Sequence, residues 1–262
     1  MIKQFVTGLA YPLRALSLLA GRPGLWRYVL IPIQLNIVIG VTIYAGLLIA
    51  GLSAIDTFIA GLPSWAGFLS VVLRVLLIVG LLFATGFVLV RIGVVFGSPW
   101  YSKLSNQLEL LQNGQPLPED SGGLSAALRD LGRALAFELK KLLLVVAIGL
   151  AVLLLNLIPV VGQVLAVVGW VALGATISCL DFFDYPLERR RLGFRQKLRL
   201  IRRSIPASAG FGLACFGLVS IPFVNLLSIP LCVAAGTLFF CDRLVALDAG
   251  RQVKLPPSAS YR

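Results

Sequence analysis

Histidine is absent from the chain, and cysteine is scarce. The four cysteines lie in apolar segments and none belongs to a C-x-x-C pair: Cys179, Cys215, Cys232 and Cys241. Zinc sites of the ordinary types use histidines or closely spaced cysteines, and most general acid–base and triad chemistry uses histidine. We therefore predict no metal site, no cofactor and no catalytic residue. The cysteines are expected to be small buried apolar side chains.

Acidic residues are also few, with 11 Asp and Glu against 23 Lys and Arg, which gives a formal net charge of +12. A basic chain can bind nucleic acid, but here the basic residues are confined to certain segments. Apart from Arg74 and Arg91, they all fall on one side of a membrane if the apolar runs turn back as hairpins. That distribution is the positive-inside pattern. We predict no nucleic-acid partner and expect both termini, residues 97–141 and residues 181–206 to be cytoplasmic.

Hydrophobic residues make up 58% of the 262 residues, and charged residues only 13%. Residues 28–55 carry no charge, and as a helix they would be about 42 Å long, enough to cross a bilayer with tilt. A second long helix is predicted over residues 66–96. The sequence Gly97-Ser98-Pro99-Trp100 is expected to end it, with a further helix over 101–111. Asn36, polar within the first run, is expected to face protein.

Two later apolar runs, residues 142–184 and 207–242, are each interrupted by an Ile-Pro pair, at Pro159 and at Pro222. Proline removes a helical hydrogen bond, so each run is predicted to form a helical hairpin with the proline at its tip. The arms are marginal for a bilayer core of about 30 Å, and Pro230 is expected to interrupt the second hairpin again. Complete spans, re-entrant hairpins and a helix pair with an ordinary turn all remain open. The tip candidates are Pro159, Gly162, Gln163, Pro222 and Asn225.

Amphipathic segments flank the apolar runs. Residues 2–20 place Phe5, Leu9, Leu13 and Leu16 at helical spacing, which predicts a helix in the cytoplasmic interface. A leucine stripe over 124–139 predicts a surface helix that feeds into the first hairpin. Residues 189–203 carry eight basic residues; we expect them to bind anionic lipid headgroups, with anion capture as the alternative.

We treat residues 1–262 as one membrane domain. Its predicted parts are an interfacial helix (1–27), two long transmembrane helices (28–96), a cytoplasmic loop and surface helix (97–141), the first hairpin (142–184), a basic cytoplasmic segment (185–206), the second hairpin (207–242) and a C-terminal tail (243–262). The overall class is an all-α integral membrane protein.

Several short motifs follow one another along nearly the whole chain. They are Pro23-Gly24-Leu25-Trp26-Arg27-Tyr28-Val29 with Pro32 and Asn36, Pro99 with Gln107-Leu108-Glu109, Ile158-Pro159-Val160-Val161-Gly162-Gln163, Asp184-Tyr185-Pro186, and Ile221-Pro222-Phe223-Val224-Asn225-Leu226 with Pro230 and Asp242. In order and spacing these resemble the CysZ family of bacterial sulfate permeases, which shares its domain with the eukaryotic etoposide-induced membrane proteins.

The resemblance implies an oligomeric inner-membrane protein with two long spanning helices and two hemi-penetrating hairpins. It further implies sulfate uptake for cysteine synthesis, without ATP hydrolysis in this chain. The family contacts sulfate through a Gly-Leu-Arg turn, often with two arginines; here the turn is Gly24-Leu25-Trp26-Arg27, and Trp26 stands at the first arginine position. Asn36 and Glu109 are the other candidates for a pore lining.

The residues themselves leave alternatives open. A helix start beside an arginine favours an anion, but Arg27 is also explained as a positive-inside anchor and Trp26 as an interfacial aromatic residue. A non-transporting membrane scaffold or regulator of the etoposide-induced type is the second functional hypothesis. A membrane enzyme is the third, and the sequence offers no catalytic constellation for it.

Overall fold

The computed structural model describes residues 1–61, 67–113, 124–221 and 224–244. These residues form an all-α protein, as the sequence predicts. The helices are α1 (Ile2–Leu9), α2 (Tyr11–Ala20), α3 (Trp26–Ala60), α4 (Gly67–Asn113), α5 (Leu124–Leu155), α6 (Val161–Glu188), α7 (Phe194–Arg203), α8 (Ala207–Ser220) and α9 (Val224–Phe239). A 3₁₀ turn (Pro23–Leu25) precedes α3, and a π-helical turn (Phe240–Leu244) follows α9.

The two long helices are α3, with 35 residues, and α4, with 47. They pack against each other more extensively than any other pair in the described part of the chain. Both have long apolar stretches whose residues face outward, as expected for helices whose exterior meets lipid rather than water. Arg74, near the start of α4, pairs with Asp56 of α3 at 2.6 Å. The prediction of two long helices is confirmed.

The predicted end of the second long helix at 97–100 is wrong, because α4 runs unbroken through Pro99 to Asn113. An internal proline costs a helix about 3 kcal/mol. The next two turns bury Tyr101, Leu104 and Leu108 completely, and burial of each such side chain contributes roughly 1.5–3 kcal/mol. Packing therefore outweighs the local preference of proline to end the helix.

The first hairpin breaks where the sequence predicts. α5 runs from Leu124 directly into the apolar run and ends at Leu155, α6 begins at Val161, and Pro159 lies in the tip between them. In the second hairpin α8 ends at Ser220 and α9 begins at Val224; Pro222 lies outside the described residues. With 14 residues, α8 is about 21 Å long and cannot cross a bilayer core of about 30 Å by itself.

The predicted interruption at Pro230 is wrong, since α9 continues through it to Phe239. Pro230 and its neighbour Ile229 are buried, so the surrounding helices hold the chain in helical form. α9 packs on α2, α4, α6 and α8 and has the highest share of buried residues of the candidate spans. It is the central helix of the described fold.

The N-terminal segment differs from the single interfacial helix that the sequence predicts. It is divided at Ala10 into α1 and α2, with Pro12 in the first turn of α2, where proline is tolerated. α1 packs on α8 and α2 on α9. The buried face of α2 consists of Tyr11, Pro12, Ala15 and Leu19, whereas the predicted apolar residues Leu13 and Leu16 point outward. The segment therefore docks on protein through these four residues, and its placement in a membrane interface stays a prediction.

An aromatic cluster joins the central helices. The ring centroids of Phe183 of α6 and Phe211 of α8 are 4.6 Å apart, and that of Phe239 of α9 lies 4.9 Å from the Phe183 ring. Tyr11 of α2 adds its ring 4.9 Å from that of Phe239. All four side chains are 1% exposed or less. Stacked and tilted aromatic pairs at these distances stabilise a core beyond their buried area.

Helix α1 crosses α8 closely because both helices carry glycine at the crossing. A Cβ at Gly210 would lie 2.2 Å from the Phe5 carbonyl oxygen, and one at Gly8 would lie 2.0 Å from that of Ala207. We expect Gly210→Ala to lower the free energy of unfolding by about 1–3 kcal/mol through overpacking. Thermal unfolding of the purified protein in detergent measures this.

Gly217→Ala is the matched control on the same helix, since no described atom lies within 4 Å of a Cβ placed there. Replacing a helical glycine with alanine gains roughly 0.5–1 kcal/mol, so this variant should melt at or above the wild-type temperature. Equal melting temperatures for Gly210→Ala and Gly217→Ala would contradict the close crossing.

Candidate functional site

The turn that opens α3 is the first candidate anion site. Gly24 is exposed, Leu25 is buried in the core at 6% exposure, Trp26 is half-buried and Arg27 is exposed. The 3₁₀ turn already uses two of the N–H groups there: those of Leu25 and Trp26 donate to the carbonyls of Arg22 and Pro23. Fewer backbone donors are therefore left for a ligand than a simple helix start would offer.

Arg27 is held by its neighbour in sequence. Its guanidinium donates to the Tyr28 hydroxyl at 2.7 Å and lies over the Tyr28 ring, 4.7 Å from the centroid. An arginine carries five N–H donors, so this contact leaves others available. Within the described residues no carboxylate forms an ion pair with Arg27. The side chain is thus oriented and exposed, and its charge is not neutralised by a carboxylate of the described chain.

Glu109 lies in a different environment. Its side chain is only 4% exposed and forms ion pairs with Arg189 and, at 3.0 Å, with Arg190. Arg189 also donates to the Ser102 carbonyl and the Ser105 hydroxyl. The charge of Glu109 is therefore compensated inside the protein, as a buried carboxylate requires.

This ion cluster extends to the central helix. The Thr237 hydroxyl of α9 donates to the Ser105 hydroxyl of α4 at 2.8 Å, with both residues fully buried. Arg190 lies over the ring of Phe240, 4.3 Å from its centroid. The residues directly after α6, the C-terminal part of α4 and the end of α9 are thus joined by one polar network.

A second set of buried charges was missed by sequence reasoning. Lys197 of α7 is 1% exposed and bonds Asp184 and Glu188 of α6, the latter at 2.7 Å. Asp184 and Glu188 are four residues apart and so share a helix face. That spacing was the one sequence feature that could have predicted a shared basic partner. Three of the eight basic residues assigned to lipid headgroups, Arg189, Arg190 and Lys197, are therefore corrected to internal ion pairs.

The remaining candidates lie on the apolar helices and tips. Asn36 of α3 is 1% exposed and its Oδ1 has no hydrogen-bond partner among the described residues. Asn225 is buried at the start of α9. At the first tip Pro159 and Gln163 are exposed, while Gly162 is buried, with the Leu155 carbonyl oxygen 1.9 Å from where a Cβ would lie. Gly162 therefore permits the close return of the chain that a side chain would block.

The structure does not gather these candidates into one site. In the described part of the chain, no side-chain hydrogen bond or ion pair joins the Arg27 turn, Glu109, Asn36 and Asn225 to one another. Arg27 has the features of an exposed anion contact, and Glu109 those of an internal clamp. The roles of the tip residues stay predictions.

The helices, their outward apolar faces and their buried ion pairs define an all-α integral membrane protein. Comparison with known proteins then gives its family. The family model described as "Sulfate transporter CysZ/Etoposide-induced protein 2.4" matches residues 11–230, and the chain belongs to this family.

Individual relatives match over most of their length. The protein named "Sulfate transporter CysZ" from Pectobacterium atrosepticum is 31% identical over 234 residues, 89% of this chain and 84% of the relative. The protein of that name from Vibrio cholerae is 30% identical over 223 residues, 84% of this chain and 87% of the relative. The one from Pseudomonas fluorescens is 31% identical, covering 83% and 86%. The resemblance inferred from the sequence motifs is confirmed.

The ion cluster predicts a stability effect. We expect Glu109→Gln to destabilise the protein by about 3–5 kcal/mol, because it leaves Arg189 and Arg190 without their carboxylate in a buried place. Thermal unfolding in detergent measures the loss.

Glu138→Gln is the control for loss of a carboxylate. Glu138 is 62% exposed, and its partner Lys141 keeps Asp181 at 2.8 Å; the expected cost is less than about 1 kcal/mol. If both variants have the same melting temperature, Glu109 is not an internal clamp.

Proposed function

We propose that the protein carries sulfate, or a related oxyanion, across the bacterial inner membrane into the cytoplasm, where it supplies sulfur assimilation and cysteine synthesis. The relatives' name supports the substrate. Membership of the family and the apolar spans support passage across a membrane. Since these relatives are named as transporters, the proposal includes no catalysed reaction.

The observation that carries the proposal is the exposure and orientation of the Arg27 side chain at the start of α3. Several buried basic side chains of this protein form ion pairs with carboxylates. Arg27, in contrast, is exposed and oriented by Tyr28, and no carboxylate among the described residues pairs with it. A guanidinium fork matches an oxyanion in shape and charge. We assign the first contact with the anion to the turn formed by Gly24, Leu25, Trp26 and Arg27. The buried Leu25 side chain anchors this turn in the core.

The proposal also places α7, the two hairpins and the outward faces of α3 and α4 relative to the membrane. α7 would lie on the cytoplasmic surface, with its exposed Arg195, Arg199 and Arg202 sharing one face toward anionic headgroups. The hairpins would enter the membrane without α8 crossing it, and Asn36, Gly162 and Asn225 would lie along the path of the ion. The outward apolar faces of α3 and α4 support contact with lipid and with further copies of the chain in a homo-oligomer.

The transport hypothesis is tested by uptake of labelled sulfate into proteoliposomes that hold only this protein. We expect Arg27→Gln to lower the uptake rate at limiting sulfate by roughly tenfold or more, since hydrogen bonds to charged groups contribute about 1.5–3 kcal/mol. Arg22→Gln is the control, because Arg22 is exposed in the same connection. Uptake by the wild type no faster than empty vesicles would favour the scaffold hypothesis, and wild-type uptake by Arg27→Gln would remove Arg27 from the site.

Topology is tested by labelling single cysteines in spheroplasts with a membrane-impermeant maleimide. Three native cysteines are buried, so Cys241→Ser gives a sufficient background. We expect Thr57→Cys, at the outer end of α3, to react, and Arg195→Cys on α7 to react only after permeabilisation, because the basic segments are cytoplasmic. Labelling of Arg195→Cys in intact spheroplasts would overturn the assignment.

A further inference from the structure

A cleft of about 530 Å³ lies between the N-terminal helices and the ends of α7 and α9. Its walls carry Arg14 of α2, Arg203 at the end of α7, and Arg243 with Asp242 in the π-helical turn; Tyr11 forms part of the floor. Its size falls within the range of roughly 300–1,000 Å³ that is typical of small-molecule sites. Neither the Arg27 turn nor Glu109 contributes to it.

The one carboxylate in the cleft is already satisfied. Asp242 pairs with Arg14 at 3.0 Å and accepts a hydrogen bond from the Tyr11 hydroxyl at 3.3 Å. Burial raises the pKa of Tyr11, although the nearby Arg243 lowers it in part. The phenol therefore stays protonated at neutral pH and keeps donating to Asp242.

The other two guanidinium groups are not neutralised in this way. Arg203 and Arg243 form no ion pair with a carboxylate in the part of the chain that the structure describes, and the Arg243 guanidinium lies near the Tyr11 hydroxyl. With three arginines against one aspartate, the cleft carries an excess of positive charge. Like charges placed together repel, and the repulsion falls when an anion lies between them.

The chemistry of the walls selects the ligand class. Guanidinium groups bind phosphate and sulfate groups through paired N–H donors. Gln4 adds an exposed amide at the rim. The cleft is larger than a single tetrahedral ion needs, so the ligand has an oxyanion group attached to a further body.

We infer that this cleft is a second anion site, which binds a phosphate- or sulfate-bearing molecule through Arg203 and Arg243, with Arg14 and Asp242 fixing its far wall. The oxyanion belongs either to a soluble molecule or to a lipid headgroup, because the cleft adjoins the basic helix that we place at the membrane surface.

The test is equilibrium dialysis of the full-length protein in non-ionic detergent with labelled adenosine 5′-monophosphate, a phosphomonoester with a larger body. The Arg27→Gln background prevents the α3 turn from supplying the binding. We expect saturable binding that Arg203→Gln weakens roughly tenfold or more. Arg22→Gln, which removes an exposed arginine outside the cleft, should bind as its parent does.

Three results would overturn the inference: no saturable binding to the parent protein, equal binding by Arg203→Gln and the parent, or equal weakening by Arg22→Gln and Arg203→Gln. Thermal unfolding of each variant excludes loss of fold, and Arg203→Lys, which keeps the charge but not the fork, should bind at an intermediate level.

Nanodiscs distinguish the two sources of the oxyanion. Binding that survives in phosphatidylglycerol nanodiscs supports a soluble ligand. Binding that is lost in phosphatidylglycerol but kept in phosphatidylcholine supports a lipid headgroup in the cleft. Since the dialysis uses the Arg27→Gln background, its outcome does not depend on whether Arg27 serves sulfate uptake.

Discussion

The burial of α9 is the constraint on which the rest of the structure depends. Its side chains pack on α2, α3, α4, α6 and α8, and Phe239 stacks in the aromatic cluster that joins it to α2, α6 and α8. An apolar helix could exchange such contacts for lipid at little cost, because lipid tails are as apolar as the side chains. Close packing and the hydrogen bond from Thr237 to Ser105 therefore hold α9 in one place, and α3 and α4, which carry Arg27 and Glu109, pack against it.

Buried charge is the second constraint on the fold, at the end where α4, α6 and α7 meet. Glu109 holds two arginines of the segment after α6, and Lys197 fastens α7 back onto Asp184 and Glu188. Removing one partner of such a pair leaves an uncompensated charge, which costs far more than the intact pair contributes. Glu109, Asp184 and Glu188 are thus used in internal ion pairs. The exposed arginines, including Arg27, give the described surface a positive character that suits anions and anionic lipid.

The sequence predicted what depends on local chemistry. Long apolar runs predicted α3 and α4, and Pro159 marked the tip between α5 and α6. It was wrong at Pro99 and Pro230, where the same residue type lies inside continuous helices whose neighbours are deeply buried. Proline ends a helix only if packing does not outweigh its destabilising effect, and packing depends on residues far away in sequence. The pairing of Glu109 with Arg189, 80 residues later, was hidden for the same reason.

Asn36 connects the fold to the proposed path of the ion. Its Oδ1 is buried without a partner in the described chain, and an unsatisfied polar atom costs about 1–3 kcal/mol. The core around the aromatic cluster is packed with rings. An oxyanion that leaves water must meet polar groups at each step, since lipid and packed rings provide none. On a path beside Asn36 and the buried Asn225, water or a second copy of the chain against α3 would donate to the orphaned oxygen, and the amide N–H groups of the two asparagines would be the donors for the ion.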